Sequence, residues 1–144
     1  MVKAGTGFKV KWNNIRAEPK TGDFRVEKEL EDRISIITIF PCITLHTIRA
    51  ALQEPTKGTV ILSYGCGNIP DDRPEIIEAL REASDRGVVI INVSQCKKGR
   101  ISDSYHCGRI LNAAGVVSGK DMTLECALTK LCYLIGKYLS LIHI

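Results

Sequence analysis

Thr59-Val60-Ile61-Leu62-Ser63-Tyr64-Gly65-Cys66-Gly67-Asn68-Ile69-Pro70-Asp71-Asp72 runs from four strand-favouring residues straight into a glycine-rich loop, and Pro74 follows two residues on. The opening four are apolar or β-branched and predict a buried strand. Pro74 suits the first turn of a helix, the acids Asp71, Asp72 and Glu75 favour its positive end, and Ile76, Ile77, Leu80 and Ala83 recur on one face. Gly87 is the natural stop, and Val88-Val89-Ile90-Ile91-Asn92-Val93 reads as the next strand. Strand, loop, helix and strand in that order form a βαβ unit, so the sheet is parallel.

The same texture extends both ways. Upstream, Ile34-Ser35-Ile36-Ile37-Thr38-Ile39-Phe40 is β-branched nearly throughout and is expected to be a buried strand, ended by Pro41. A short helix from Thr44 to Leu52 follows, with Thr44 as cap and Leu45, Ile48 and Leu52 at helical spacing, before Pro55 and Gly58 break the chain. Downstream, Ser94 to Ser104 is a polar loop, a short helix spans about Gly108 to Ala114 and stops at Gly115, and Val116-Val117 makes a brief fourth strand. A last helix starts near Asp121 to Thr123, with Thr123 as cap and Leu124, Leu128, Leu131, Ile135 and Leu139 on its core side. The expected fold is α/β: a small open parallel sheet of about four strands flanked by helices, of Rossmann or flavodoxin-like type.

Residues 34–139 fill one such domain, residues 140–144 have no clean face and are left unassigned, and residues 1–33 read as a turn-rich connector containing one short strand, Phe8 to Trp12. With 144 residues, 44% apolar and 25% charged, the chain suffices for one core. Its net charge of +4 is spread among 20 basic and 16 acidic residues rather than gathered into a stripe, which speaks against nucleic acid; Lys97-Lys98-Gly99-Arg100 reads as a solvated turn. No apolar stretch approaches the roughly 20 residues of a membrane span, and no leader peptide is visible. A soluble, cytoplasmic chain with six free thiols is therefore expected. No cofactor is implied, and no metal either, since the closest pair, His106-Cys107, is adjacent and poorly placed to grip one ion.

Ligands of open α/β sheets collect outside the carboxyl ends of the strands, which singles out the loops after the second and third strands. Gly65-Cys66-Gly67-Asn68 could present backbone N–H groups and an amide side chain to a small polar ligand, although the glycines equally permit a tight turn, their commoner use. In Asn92-Val93-Ser94-Gln95-Cys96, a nucleophilic Cys96 needs a base such as His106; a thiol that helps close a loop is the commoner case. Asp121 is a candidate carboxylate, but more often such a residue serves the start of a helix.

At these loops the chain resembles the asparaginase family, in the cytosolic type shared by bacteria and animals. The resemblance rests on Ile39-Phe40-Pro41, Thr47-Ile48-Arg49-Ala50, Ser63-Tyr64-Gly65-Cys66-Gly67-Asn68-Ile69-Pro70, Arg86-Gly87-Val88-Val89, Asn92-Val93-Ser94-Gln95-Cys96, Ala114-Gly115-Val116-Val117-Ser118-Gly119, Asp121-Met122-Thr123 and Ala127-Leu128-Thr129-Lys130-Leu131, which together span most of residues 34–135 in order. It implies the C-terminal domain of an enzyme that hydrolyses L-asparagine to L-aspartate and ammonia, with no cofactor, as a homo-oligomer. The family's catalytic threonines lie in an N-terminal domain, in Gly-Gly-Thr-Ile and Gly-Thr-Asp stretches that these 144 residues do not contain. Residues 1–33 are then the connector from that domain, and the chain alone is expected to be inactive, with no catalytic residue of its own.

The resemblance further implies that Asn68, with Gly67 beside it, completes the substrate pocket of a neighbouring subunit. It also makes Ser94, Cys96 and Lys120 candidates for an effector pocket that binds asparagine in bacterial relatives. There the pattern departs: the bacterial arginine that holds the effector's carboxylate is Leu62 here, and an apolar residue cannot replace a bidentate donor. Two further readings stand beside this one, a self-standing amino-acid-binding regulatory module and part of an asparaginase-like transfer-RNA amidotransferase subunit.

Overall fold

The computed structural model describes residues 28–70, 72–98, 100–101 and 106–137, with Asn13 and Val26 besides. The expected strand at Phe8 to Trp12, core residue Leu139 and the tail 140–144 lie outside the described residues. In chain order the elements are β1 (Ile34–Thr38), α1 (Leu45–Leu52), β2 (Gly58–Ser63), α2 (Pro74–Asp85), β3 (Val89–Ser94), α3 (His106–Ala113), β4 (Val117–Ser118) and α4 (Leu124–Gly136). The four strands form one sheet in the order β1-β2-β3-β4, every pair parallel.

This strand order explains which face each helix covers. Strands that are always added on the same side, each through a right-handed crossover, put all the crossover helices on one face. Accordingly α1, α2 and α3 share a core with that face: Ile48, Leu52, Ile76, Leu80 and Leu111 pack with Ile37, Ile61 and Ile90. The opposite face is closed by α4, whose Ala127 and Leu131 pack with Val60, Ile91 and Val93. The alternation of residues along β2 and β3 supplies both sets, as a strand covered on two sides requires.

The helix starts agree with the expected caps. Thr44 Oγ1 accepts the Thr47 N–H at 3.1 Å ahead of α1, and Thr123 Oγ1 accepts the Cys126 N–H at 3.2 Å ahead of α4. Two strands begin one residue later than their apolar runs, for a common reason. The Val88 N–H is taken by Ala83 O and the Val116 N–H by Leu111 O, so each valine still belongs to the stop of the preceding helix. Conversely, β2 starts one residue early, at Gly58. A Cβ there would sit 2.9 Å from side-chain atoms of Ile34, Leu131 and Ile135, and its absence lets α4 lie close on the strand.

One expectation is corrected. The largely β-branched run at Ile34 to Phe40 suggested a buried strand, but β1 is an edge strand, paired among the described residues with β2 alone. Ile37 and Ile39 are buried under α1, whereas Ile36 is 45% exposed and Phe40 47% exposed. The cause is the position of α4, which lies over β2 and β3 and reaches β1 at Ile34, short of Ile36.

Because α4 is the one described helix on its face, Leu131 carries much of that layer. It is fully buried between α4 and β2, and Leu131→Ala is expected to cost about 2–5 kcal/mol as the cavity fails to collapse. A shift in the urea midpoint corresponding to less than about 1 kcal/mol would show that α4 is not a principal support.

Candidate functional site

The carboxyl ends of all four strands meet along one crest, and side-chain amides and hydroxyls hold their loops together. Gln95 is the widest brace. Its backbone N–H donates to Ser63 O at 2.9 Å, and its Nε2 donates to Ile39 O at 2.6 Å and Leu62 O at 2.9 Å, which ties the end of β3 to the ends of β1 and β2. Ser63, fully buried, donates its hydroxyl to Val93 O at 3.2 Å. Beyond β4, the Gly119 N–H donates to Asn92 O at 2.7 Å and the Ile101 N–H to Lys120 O at 2.7 Å.

The glycine loop after β2 folds back on itself. The Tyr64 N–H donates to Asn68 O, and Tyr64 O accepts from both the Gly67 N–H at 2.8 Å and the Asn68 N–H at 2.9 Å. Such a closure requires left-handed backbone at Gly65 (φ 45°) and Gly67 (φ 115°), which side chains oppose. Two residues of β3 then grip the loop from below: Ser94 Oγ donates to Gly65 O at 2.5 Å and Asn92 Nδ2 to Gly67 O at 3.1 Å. Where the loop passes into α2, Arg73 pairs with Glu75 and donates to Ile43 O at 2.5 Å, so the β1–α1 connection is joined to the same crest.

Of the two uses considered for the glycines, backbone donation to a ligand is closed at Gly67 and Asn68, whose N–H groups are both taken by Tyr64 O. Gly67 is buried, so its part in a pocket is to shape the loop. The Asn68 side chain stands exposed at the crest, and among the described residues its Oδ1 meets the Cys66 thiol alone, at 3.9 Å. It is a polar side chain on a braced backbone, free to address a ligand.

The second group of candidates is only partly assembled. Ser94 and Cys96 share one turn, in which the Cys96 N–H donates to Ser94 Oγ at 3.0 Å. The Ser94 proton is therefore directed at Gly65 O and its oxygen is already accepting. Lys120 is exposed on the next loop, held in left-handed conformation (φ 55°). Leu62 points to the other face of the sheet and packs, with Met122 and Leu124, against the α4-side cluster. Cys96 and His106 are both exposed and neither hydrogen-bonds the other. Cys107 is buried with its thiol toward Ile69 O, so the adjacent His106 and Cys107 face different surroundings. Among the described residues no group of three or more His, Cys, Asp or Glu is placed to hold a metal ion.

The shifted ionisations lie elsewhere and have structural causes. The Arg33 guanidinium holds the Glu31 carboxyl down at about 2. The Glu75 carboxyl is lowered by its own backbone N–H and by Arg73, that of Glu125 by its own backbone N–H and by Thr123. Burial pushes the Cys132 thiol up. A cleft of about 560 Å³, lined by Glu29, Glu31, Asp32 and Arg33 together with Ile135 and Gly136, opens at the opposite edge of the sheet, where the chain enters β1.

Two residues of the crest were not singled out from sequence. Gln95 and Asn92 stood within a quoted motif but carried no assigned role. The signal for Asn92 is an amide inside an otherwise apolar strand, a position that burial makes costly unless the amide has partners.

Residues 33–144 match the family model described as the glutaminase/asparaginase C-terminal domain. The chain is 40% identical over 130 residues to the L-asparaginase of Dirofilaria immitis, covering 90% of this chain and 22% of that protein. It is 40% identical over 120 residues to L-asparaginase 1 of Escherichia coli K12, covering 83% of this chain and 35% of that protein. The crystal structure of L-asparaginase I from Vibrio cholerae superposes with a TM-score of 0.76 at 37% identity, covering 96% of this chain and 41% of that one. The chain thus spans between 22% and 41% of the length of these three proteins.

The braced loop makes a graded expectation about its glycines. An alanine Cβ at Gly65 meets nothing within 4 Å and its φ is near the left-handed minimum, so Gly65→Ala should cost about 1–2 kcal/mol. At Gly67 the Cβ would also press on Ile101 at 3.0 Å, at a φ further from any region open to alanine. Gly67→Ala should therefore be the more damaging, at roughly 2–3 kcal/mol. Equal midpoints for the two variants in urea would mean that the loop relaxes freely.

Proposed function

The chain belongs to the glutaminase/asparaginase family as its C-terminal domain, and from that premise we propose that it is part of an L-asparaginase, in which Asn68 completes the substrate pocket of a neighbouring subunit. The reaction is hydrolysis of the side-chain amide of L-asparagine. A threonine hydroxyl of an N-terminal domain attacks the amide carbon, ammonia leaves, and water cleaves the resulting ester to release aspartate and regenerate the hydroxyl. No group of this chain takes part in those bond changes, and no cofactor is needed. A homo-oligomeric enzyme of the cytoplasm fits this reading.

The observation that supports it most directly is the exposed Asn68 amide on a loop whose backbone is held from two strands. An amide offers both donors and acceptors, and so suits the α-ammonium and α-carboxylate of an amino acid. A fixed backbone means that little freedom is lost when the ligand arrives. In the full-length enzyme, Asn68→Ala is expected to lower kcat/KM about ten- to a hundredfold, the loss of a hydrogen bond to a charged group. The melting temperature should barely move, since the side chain supports nothing in the core. Wild-type efficiency in this variant removes Asn68 from the pocket.

The effector pocket is expected to be weak. The Ser94 hydroxyl is engaged within the loop, and Leu62 belongs to the apolar layer under α4, so Lys120 is the remaining charged group for a carboxylate. Asparagine should bind near Ser94, Cys96 and Lys120 in the millimolar range or not at all. Calorimetry that finds a micromolar site abolished by Ser94→Ala overturns this.

A further inference from the structure

Asn92 stands within β3 between the apolar Ile91 and Val93, is 3% exposed, and faces the α1–α3 side with Ile61 and Ile90. An amide there needs a reason. Only the NH2 end can face a carbonyl oxygen, so the 3.1 Å contact with Gly67 O fixes how the Asn92 amide is turned. The other end, Oδ1, is buried without a partner among the described residues. Asn92 also lines a cavity of about 10 Å³ with Ile101, Leu111, Asn112, Val116 and Ser118, about the room of one water molecule. An apolar side chain of the same shape would fill the position without a buried acceptor, so stability alone does not call for an amide.

The bond that Asn92 does make is specific in its consequence. Gly67 O and the Asn68 N–H are the two ends of a single planar peptide unit. Its N–H is held by Tyr64 O at 2.9 Å and its C=O by Asn92 Nδ2 at 3.1 Å. Gly67 itself has no room to move aside, since a Cβ on it would lie 3.0 Å from Ile101 Cγ2 and 3.4 Å from Asn92 Nδ2. A peptide plane fixed at both ends sets the direction of the next Cα–Cβ bond, which is that of Asn68. We propose that Asn92 is a positioning residue for Asn68: a buried amide that, by gripping the Gly67 carbonyl, holds the exposed amide in the orientation that receives the amino-acid substrate. This rests on the assignment of Asn68 to the substrate pocket.

The test is a double-mutant cycle in the full-length enzyme with N68A, N92L and N68A/N92L, reading KM, kcat and melting temperature, together with hydrogen exchange of the Asn68 N–H. N92L should raise KM about tenfold with kcat changed less than about twofold, and the Asn68 N–H should exchange at least about tenfold faster. The double variant should be no worse than N68A within about twofold, because a positioning residue has nothing left to position. A wild-type KM in N92L beside an impaired N68A overturns the proposal, as do fully additive losses. A silent N68A instead defeats the substrate-pocket assignment, and the Asn68 N–H exchange in N92L still decides whether Asn92 holds the peptide. Should N92L not fold, N92S, which cannot reach Gly67 O, gives the same comparison.

Discussion

Six residues of β2 pair in parallel with six of β3, from Gly58 against Val89 to Ser63 against Ser94, and a parallel ladder of this kind is stable only when both of its faces are covered. Both coverings follow from that. The unidirectional strand order places α1, α2 and α3 together on one side, which leaves the other side to α4, and Gly58 is without a side chain where that helix comes closest. The same pairing sets Ser63, Ser94 and Asn92 at the carboxyl end of the two central strands. The two side-chain bonds by which β3 braces the glycine loop start from that register.

The loop crest is therefore an extension of the sheet by other means. Past the last ladder bonds side chains continue the joining, Gln95 across β1 and β2 and Ser94 and Asn92 into the Gly65–Gly67 turn, while the Gly119 backbone N–H returns onto Asn92 O. Each neutral hydrogen bond contributes only about 1 kcal/mol net, but together they leave the loop few ways to move. The outcome is a division of labour within one short segment. Gly65 and Gly67 supply the backbone conformation and Asn68 presents an exposed amide.

Much of the fold was legible in the linear sequence because its signals are local. Strand runs, caps at Thr44 and Thr123, the stop at Gly87 and the apolar stripe of α4 depend on neighbours within a few residues, and those among the described residues appear where expected to within a residue or two. The exception is instructive: Ile34 to Phe40 carries the composition of a doubly covered strand, yet lies at the edge with Ile36 exposed. Composition records that a residue prefers burial, not whether another element is placed to provide it.

For the site, the residue types and their order marked the glycine loop and Asn68, and the absence of arginine at Leu62 already argued against a strong effector pocket. Tertiary structure decided the rest. That the Gly67 and Asn68 N–H groups are closed off inside the turn, that the Ser94 hydroxyl is directed at Gly65 O, and that Asn92 and Gln95 brace loops 25 to 56 residues away are facts about partners distant in the chain. Local preferences alone determined the α/β fold and the place of the glycine loop, because strand, helix and turn propensities act over a few residues. Only the packed sheet determined which polar groups are bound up in that loop and which remain free to meet a ligand, because a hydrogen bond depends on where its second partner lies, and that partner is brought into place by strand register.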